Sequence, residues 1–147
     1  MDNELRTKCF LEFYRIFPVS RKIVLDTFDK SNYDLTRTQQ HILLALEVAK
    51  TLSMSHLASM ISTSNEQATR AVAQLVDKGY IRRKHSVSNR RIINIQLTDE
   101  AQGLLKVMKN DMHEDMINKF ARISDEEMEK MYQALIDIDD VLRKVEI

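Results

Sequence analysis

One stretch, Ser53 to Thr98, limits what this chain can fold into more than any other. It opens with a short helical spacing of apolar residues, Leu57, Ala58 and Ile61, which meets a polar break at Ser62-Thr63-Ser64-Asn65. A second helical spacing follows in Ala68, Val72, Leu75 and Val76, and stops at Gly79. Two β-like runs, Tyr80–His85 and Arg91–Leu97, then flank the polar Ser86-Val87-Ser88-Asn89-Arg90. Helix, tight turn, helix and basic hairpin in this order are the parts of a winged helix-turn-helix, a device that reads duplex DNA. The expected class is mainly α with a small β-wing, and with helical extensions at both ends.

Local signals place the boundaries. Thr36-x-x-Gln39 has the spacing of a capping box, and opens a helix that carries Ile42, Leu43 and Leu46 to about Lys50. Thr51-Leu52 reads as a short strand pairing with the wing. Ser53 is the expected N-cap of the next helix, in which small Ala58 allows close approach of its partner. Ser64 repeats the capping-box spacing to Gln67, and Gly79 stands where a left-handed residue closes a helix. In the wing, Ile93, Ile95 and Leu97 alternate with Asn94 and Gln96, the pattern of a half-buried strand.

Charge supports the same reading only when it is mapped along the chain. The whole carries 22 basic and 22 acidic residues. Residues 1–77 are balanced, and residues 99–147 are net acidic. Residues 78–98 hold Lys78, Arg82, Arg83, Lys84, Arg90 and Arg91 with no acid. A basic stripe in a neutral chain is the footprint of local phosphate contact. The polar face of the second helix shows Asn65, Gln67, Thr69, Arg70 and Gln74, residue types that read base edges in a major groove. Arg90, at the hairpin tip, suits a narrow minor groove. Ser64, Thr36, Thr38, Arg83, Lys84 and Arg91 suit phosphates, partly through helix N-termini.

The flanks are helical. Residues 4–30 carry Leu5, Cys9, Phe10, Phe13, Phe17, Ile23, Val24, Leu25 and Phe28, with an expected kink or interruption at Pro18. Asp29 to Asp34 reads as a polar connection. Thr98 caps a long helix with a stripe of Leu104, Leu105, Met108, Met112 and Met116, read as core or subunit contact. Ser124-x-x-Glu127 opens a last helix with Met128, Met131, Leu135, Ile138 and Leu142. No apolar run approaches the roughly 20 residues of a membrane span, so no membrane partner is expected. The first residues do not resemble a signal peptide, and the single cysteine suits a reducing cytosol, so a cytoplasmic location is expected.

Six segments, taken together, carry a family likeness. They are Leu35-Thr36-x-x-Gln39 with Ile42-Leu43, Leu57-Ala58, Ala68-Thr69-Arg70, Leu75-Val76-x-x-Gly79-Tyr80-Ile81, Asn89-Arg90-Arg91 and Leu97-Thr98-Asp99-Glu100. In this order and spacing the chain resembles the MarR family of bacterial transcription regulators over nearly its whole length. The resemblance implies one domain over 1–147, with dimerisation helices in 1–34 and 99–147 and a DNA-binding lobe in 35–98. It further implies a homodimer on a pseudo-palindromic operator, usually a repressor relieved by a small-molecule effector. Two positions depart from the family pattern. Asn89 stands where an Asp is usual, and can accept a hydrogen bond but form no salt bridge. Glu66 stands where a small residue is usual; it is unfavourable near phosphate but able to accept from a cytosine amino group.

Other chemistries find less support. Thr38-Gln39-Gln40-His41-Ile42-Leu43 resembles the zinc-sensing branch of the family, yet Gln40 replaces its carboxylate and Met108 and Met112 stand where histidines lie. No metal or cofactor is expected. Cys9-Phe10 with Tyr14 resembles the peroxide-sensing branch, but Arg37 and Thr38 occupy the positions of the tyrosines that should meet the cysteine. Cys9 is therefore read as packing, with redox sensing as an alternative. No phosphate-binding Gly-rich loop or Ser/His/Asp arrangement is present, so an enzyme is not expected. A winged-helix module that binds a protein and not DNA is the remaining alternative.

Overall fold

The computed structural model describes residues 1–29 and 33–145. The elements are α1 (Asn3–Asp29), α2 (Arg37–Ala49), β1 (Thr51–Ser53), α3 (Met54–Met60), α4 (Asn65–Asp77), β2 (Ile81–His85), β3 (Ile93–Leu97), α5 (Asp99–Asp111), α6 (His113–Phe120) and α7 (Asp125–Leu142). The expected connection from Asp29 to Asp34 falls partly outside the described residues. The chain divides into two compact units, Met1–Met112 and His113–Ile147.

In the first unit, the apolar spacings converge on one core. Ile42, Leu43 and Leu46 of α2, Leu57 of α3, Val72 and Leu75 of α4, and Ile95 of β3 are fully buried. Burying each such side chain stabilises the fold by roughly 1.5–3 kcal/mol. The three strands form an antiparallel sheet in the order β1-β3-β2. Leu52 pairs with Ile95 and Ile81 with Leu97, which keeps the apolar alternation of β3 on the core side. The expected pairing of Thr51-Leu52 with the wing is thus present. Ala101, Leu105, Met108 and Met112 bring one face of α5 into the same core, so this part of the Met stripe is lobe packing.

The helix ends follow the side chains that satisfy them. Thr36 and Gln39 close a full capping box on α2, and Ser124 and Glu127 do so on α7. Ser53 and Thr98 cap α3 and α5. Gly79 has φ of +82°; the N–H of Tyr80 reaches the carbonyl of Leu75 at 2.9 Å and that of Gly79 the carbonyl of Val76 at 3.0 Å. Both bonds define a Schellman ending, which needs a residue free to turn left-handed. A Cβ at Gly79 would also meet Glu100 Oε2 at 3.0 Å. Thr98 ties this ending to α5: its hydroxyl donates to the Gly79 carbonyl at 2.6 Å.

Four expectations are corrected. Helix α1 is not interrupted at Pro18, which lies inside it although proline has no N–H to donate. The expected strand from Arg91 begins at Ile93, because Asn89 folds Arg91 and Ile92 into the turn. The long helix after Thr98 ends at Asp111, and α6 starts afresh with Glu114 and Asp115 in its first turn, where acids suit the helix N-terminus. Cys9 is exposed, as is every residue of α1 from Asn3 to Lys22.

In the second unit, α6 and α7 bury no residue, and Tyr132, Leu135, Ile138 and Val141 of α7 are exposed. Among the described residues, no helix is long and apolar enough to cross a membrane.

Candidate nucleic-acid interface

Helix α4 is positioned by its apolar face. Ala68, Ala71, Val72 and Leu75 are buried, which leaves Asn65, Glu66, Gln67, Thr69, Arg70 and Gln74 outward. The polar face is already organised by intramolecular bonds. The Thr69 hydroxyl donates to the Asn65 carbonyl at 2.7 Å, and Arg70 Nη2 donates to Glu66 Oε1 at 3.1 Å. Gln39 Nε2 of α2 donates to Gln74 Oε1 at 2.7 Å. Among the described residues, the Asn65 side-chain amide makes no hydrogen bond.

Ser64 caps α4 by accepting from the Gln67 N–H at 3.1 Å, but the expected reciprocal half of the box is missing. Gln67 Oε1 instead accepts from the Thr63 hydroxyl at 2.5 Å. That contact stiffens the turn between α3 and α4, where Ser62 has φ of +53°. Sequence spacing identifies a possible box and cannot decide between two donors, the Ser64 N–H and the Thr63 hydroxyl, for one side-chain oxygen.

The Gln39–Gln74 bond sets the second helix terminus against the far half of α4. Lys78 reinforces it by donating to the Asp34 carbonyl. Thr36 is exposed and Thr38 half-buried at this end. Ser64 and Thr36 therefore flank α4 at opposite ends, since the nine helical steps from Asn65 to Gln74 span roughly 14 Å. Buried Gln39 was missed as a site residue. Its capping-box position was legible, but its reach to Gln74 depends on the packing of α2 on α4.

The wing presents Arg82, Arg83, Lys84, Arg90 and Arg91, all exposed. None of the five forms an ion pair among the described residues. The turn is built by hydrogen bonds. Asn89 Oδ1 accepts from the Arg91 N–H at 3.0 Å, and its carbonyl accepts from the Ile92 N–H at 3.0 Å. His85 Nδ1 lies 3.0 Å from the Arg90 carbonyl, and the Ser86 and Ser88 hydroxyls are 3.0 Å apart. Asn89 thus shapes the backbone that carries Arg90 and Arg91, and does so through an amide oxygen that needs no charge.

Among the described residues, no group of three or more His, Cys, Asp or Glu could hold a metal ion.

Comparison with known proteins agrees with this geometry. Residues 35–93 match the model of the MarR family. The chain is 26% identical over 110 residues to the uncharacterized HTH-type transcriptional regulator YfiV of Bacillus subtilis, covering 75% of this chain and 69% of that protein. It is 28% identical over 128 residues to the HTH-type transcriptional regulator SarZ of Staphylococcus saprophyticus, covering 85% of this chain and 84% of that one. Its fold is similar to that of a cysteine-to-serine mutant of MarR from E. coli complexed with operator DNA. That likeness has a TM-score of 0.57 and 17% identity, over 88% of this chain and 96% of that chain. Cap, turn, buried spacing and wing all fall within or beside residues 35–93, the segment over which the chain matches the MarR family of regulators.

Proposed function

We propose that the chain is a cytoplasmic, sequence-specific regulator that binds duplex DNA as a homodimer and represses until a small molecule relieves it. The observation that carries the DNA reading is the wing, where five cations lack acidic partners among the described residues, beside a polar helix face. Unpaired cations on a hairpin are available to phosphate, and their binding releases counterions. Helix α4 would enter the major groove, with Asn65, Gln67, Thr69 and Arg70 toward base edges and Gln74 at its rear. Arg90 would enter the minor groove. Ser64, Thr36, Thr38, Arg83, Lys84 and Arg91 would hold phosphates.

Dimerisation is supported by apolar surface outside the lobe. Leu5, Phe10, Phe13 and Phe17 of α1 are exposed, as are Tyr132, Leu135 and Val141 of α7. Contiguous apolar helix faces of this kind call for a partner. A two-fold dimer would present its α4 helices to half-sites about 34 Å apart. The effector reading is supported by a cavity of about 610 Å³, whose apolar walls include Phe17, Val24, Leu44 and Ile61. Its size lies in the range of small-molecule sites, roughly 300–1,000 Å³.

Selection of bound genomic fragments tests the reading. It should return a palindromic duplex, and Arg90→Ala should weaken binding to that duplex at fixed salt while leaving the fold intact. Undiminished affinity would remove Arg90 from the interface.

A further inference from the structure

A second cavity, of about 390 Å³, opens between the end of α2, the sheet and α5, all within the first unit. Its chemistry differs from the apolar cavity near α1. Lys50 at the end of α2, Arg82 on β2, and Lys106 and Lys109 on α5 all line it. The one acid in the lining is Glu47, which pairs with Lys109. Lys50, Arg82 and Lys106 form no ion pair among the described residues. Leu46, Leu97 and Leu105 supply an apolar floor.

Three uncompensated cations from three elements repel one another around one concavity. An anion bound there would relieve that repulsion, and low-dielectric walls would focus the field on it. The apolar floor adds a second requirement, a compact apolar body attached to the charge. The DNA-facing groups do not explain this arrangement. Lys50 ends the 13-residue helix α2, so it lies roughly 20 Å from the cap at Thr36. Arg82 sits three residues before the end of β2, about 10 Å back from the wing turn.

We propose that this cavity binds a small organic dianion, a phosphate ester or a dicarboxylate on an apolar body. The site shares only Arg82 with the wing, and Arg82 is given no contact with the duplex; Lys50, Lys106 and Lys109 lie outside the DNA reading altogether.

Calorimetric titration of the full chain tests it, with phenyl phosphate, phthalate and benzoate as probes. At least one dianion should bind once per chain, and the stronger of the two identifies the charged group. Benzoate, with the same ring and one charge, should bind at least tenfold more weakly. The double variant Lys50→Gln/Lys106→Gln should lose at least tenfold in dianion affinity. Lys130→Gln/Lys144→Gln removes equal charge from the second unit and should leave that affinity unchanged. Both lysines of each pair are exposed, and circular dichroism verifies that folding is retained. Failure of both dianions to bind, equal binding of benzoate, or equal losses in the two double variants would each overturn the proposal.

Discussion

The two halves of the candidate interface are built on opposite principles. On α4, Thr69, Arg70, Gln67 and Gln74 already have intramolecular partners. On the wing, five exposed cations have none among the described residues, and the ordered hydrogen bonds lie in the backbone beneath them. Pre-bonded polar groups have fixed positions, which suits discrimination, but each must exchange or share its partner on contact. Unpaired cations lose nothing on contact and gain phosphate attraction, which suits affinity without sequence preference. The difference predicts that the wing sets strength and α4 sets choice.

That division can be broken experimentally, beginning with its largest consequence. Replacing Arg83, Lys84, Arg90 and Arg91 together by Gln removes three proposed phosphate contacts and the minor-groove cation from each lobe. The slope of log affinity against log salt should fall in magnitude by about 0.9 per contact. Cognate and random duplexes should be affected alike, as measured by fluorescence anisotropy; a loss confined to the cognate site would reverse the assignment. Asn65→Ala should act in the opposite manner. It should cost about 1–3 kcal/mol on the selected duplex and far less on random DNA.

Smaller effects sharpen the account of how the wing is held. Asn89→Ala removes the acceptor for the Arg91 N–H and should weaken DNA binding by about 1 kcal/mol. Asn89→Asp should retain the bond and the affinity. If the alanine variant binds as well as the parent, the Asn89 turn does not position Arg90. Smallest of all, Glu66→Gln breaks an exposed i,i+4 pair with Arg70. Thermal stability should change by only a few tenths of a kcal/mol. Any gain in DNA affinity would then report the release of Arg70 and the loss of a charge near phosphate.

Much of the lobe was legible because its signals are local. The Thr36 capping box, the Ser53 and Thr98 caps and the left-handed Gly79 each satisfy backbone groups within a few residues. Apolar spacing in α2, α4 and β3 identified the core by the same short-range logic. What escaped depends on partners distant in sequence or on competition between equals. The Gln67 side-chain oxygen has two donors in reach, the Ser64 N–H and the Thr63 hydroxyl, and spacing alone favours neither. The Gln39–Gln74 bond joins residues 35 apart. The turn at Asn89 absorbed two residues assigned to a strand, since an Asn oxygen competes with ladder hydrogen bonds. The cationic cavity behind the wing was invisible for a similar reason. Lys50, Arg82 and Lys106 converge only after β1 pairs with β3.

The most direct test of the central claim is the salt dependence of binding to a duplex selected from genomic fragments. The account predicts a steep decline in affinity with salt, on log axes a slope of several units, and a markedly shallower slope after the wing cations are neutralised. Binding that is indifferent to salt, or a slope that the neutralised wing leaves unchanged, would contradict it and favour a winged module that docks on protein.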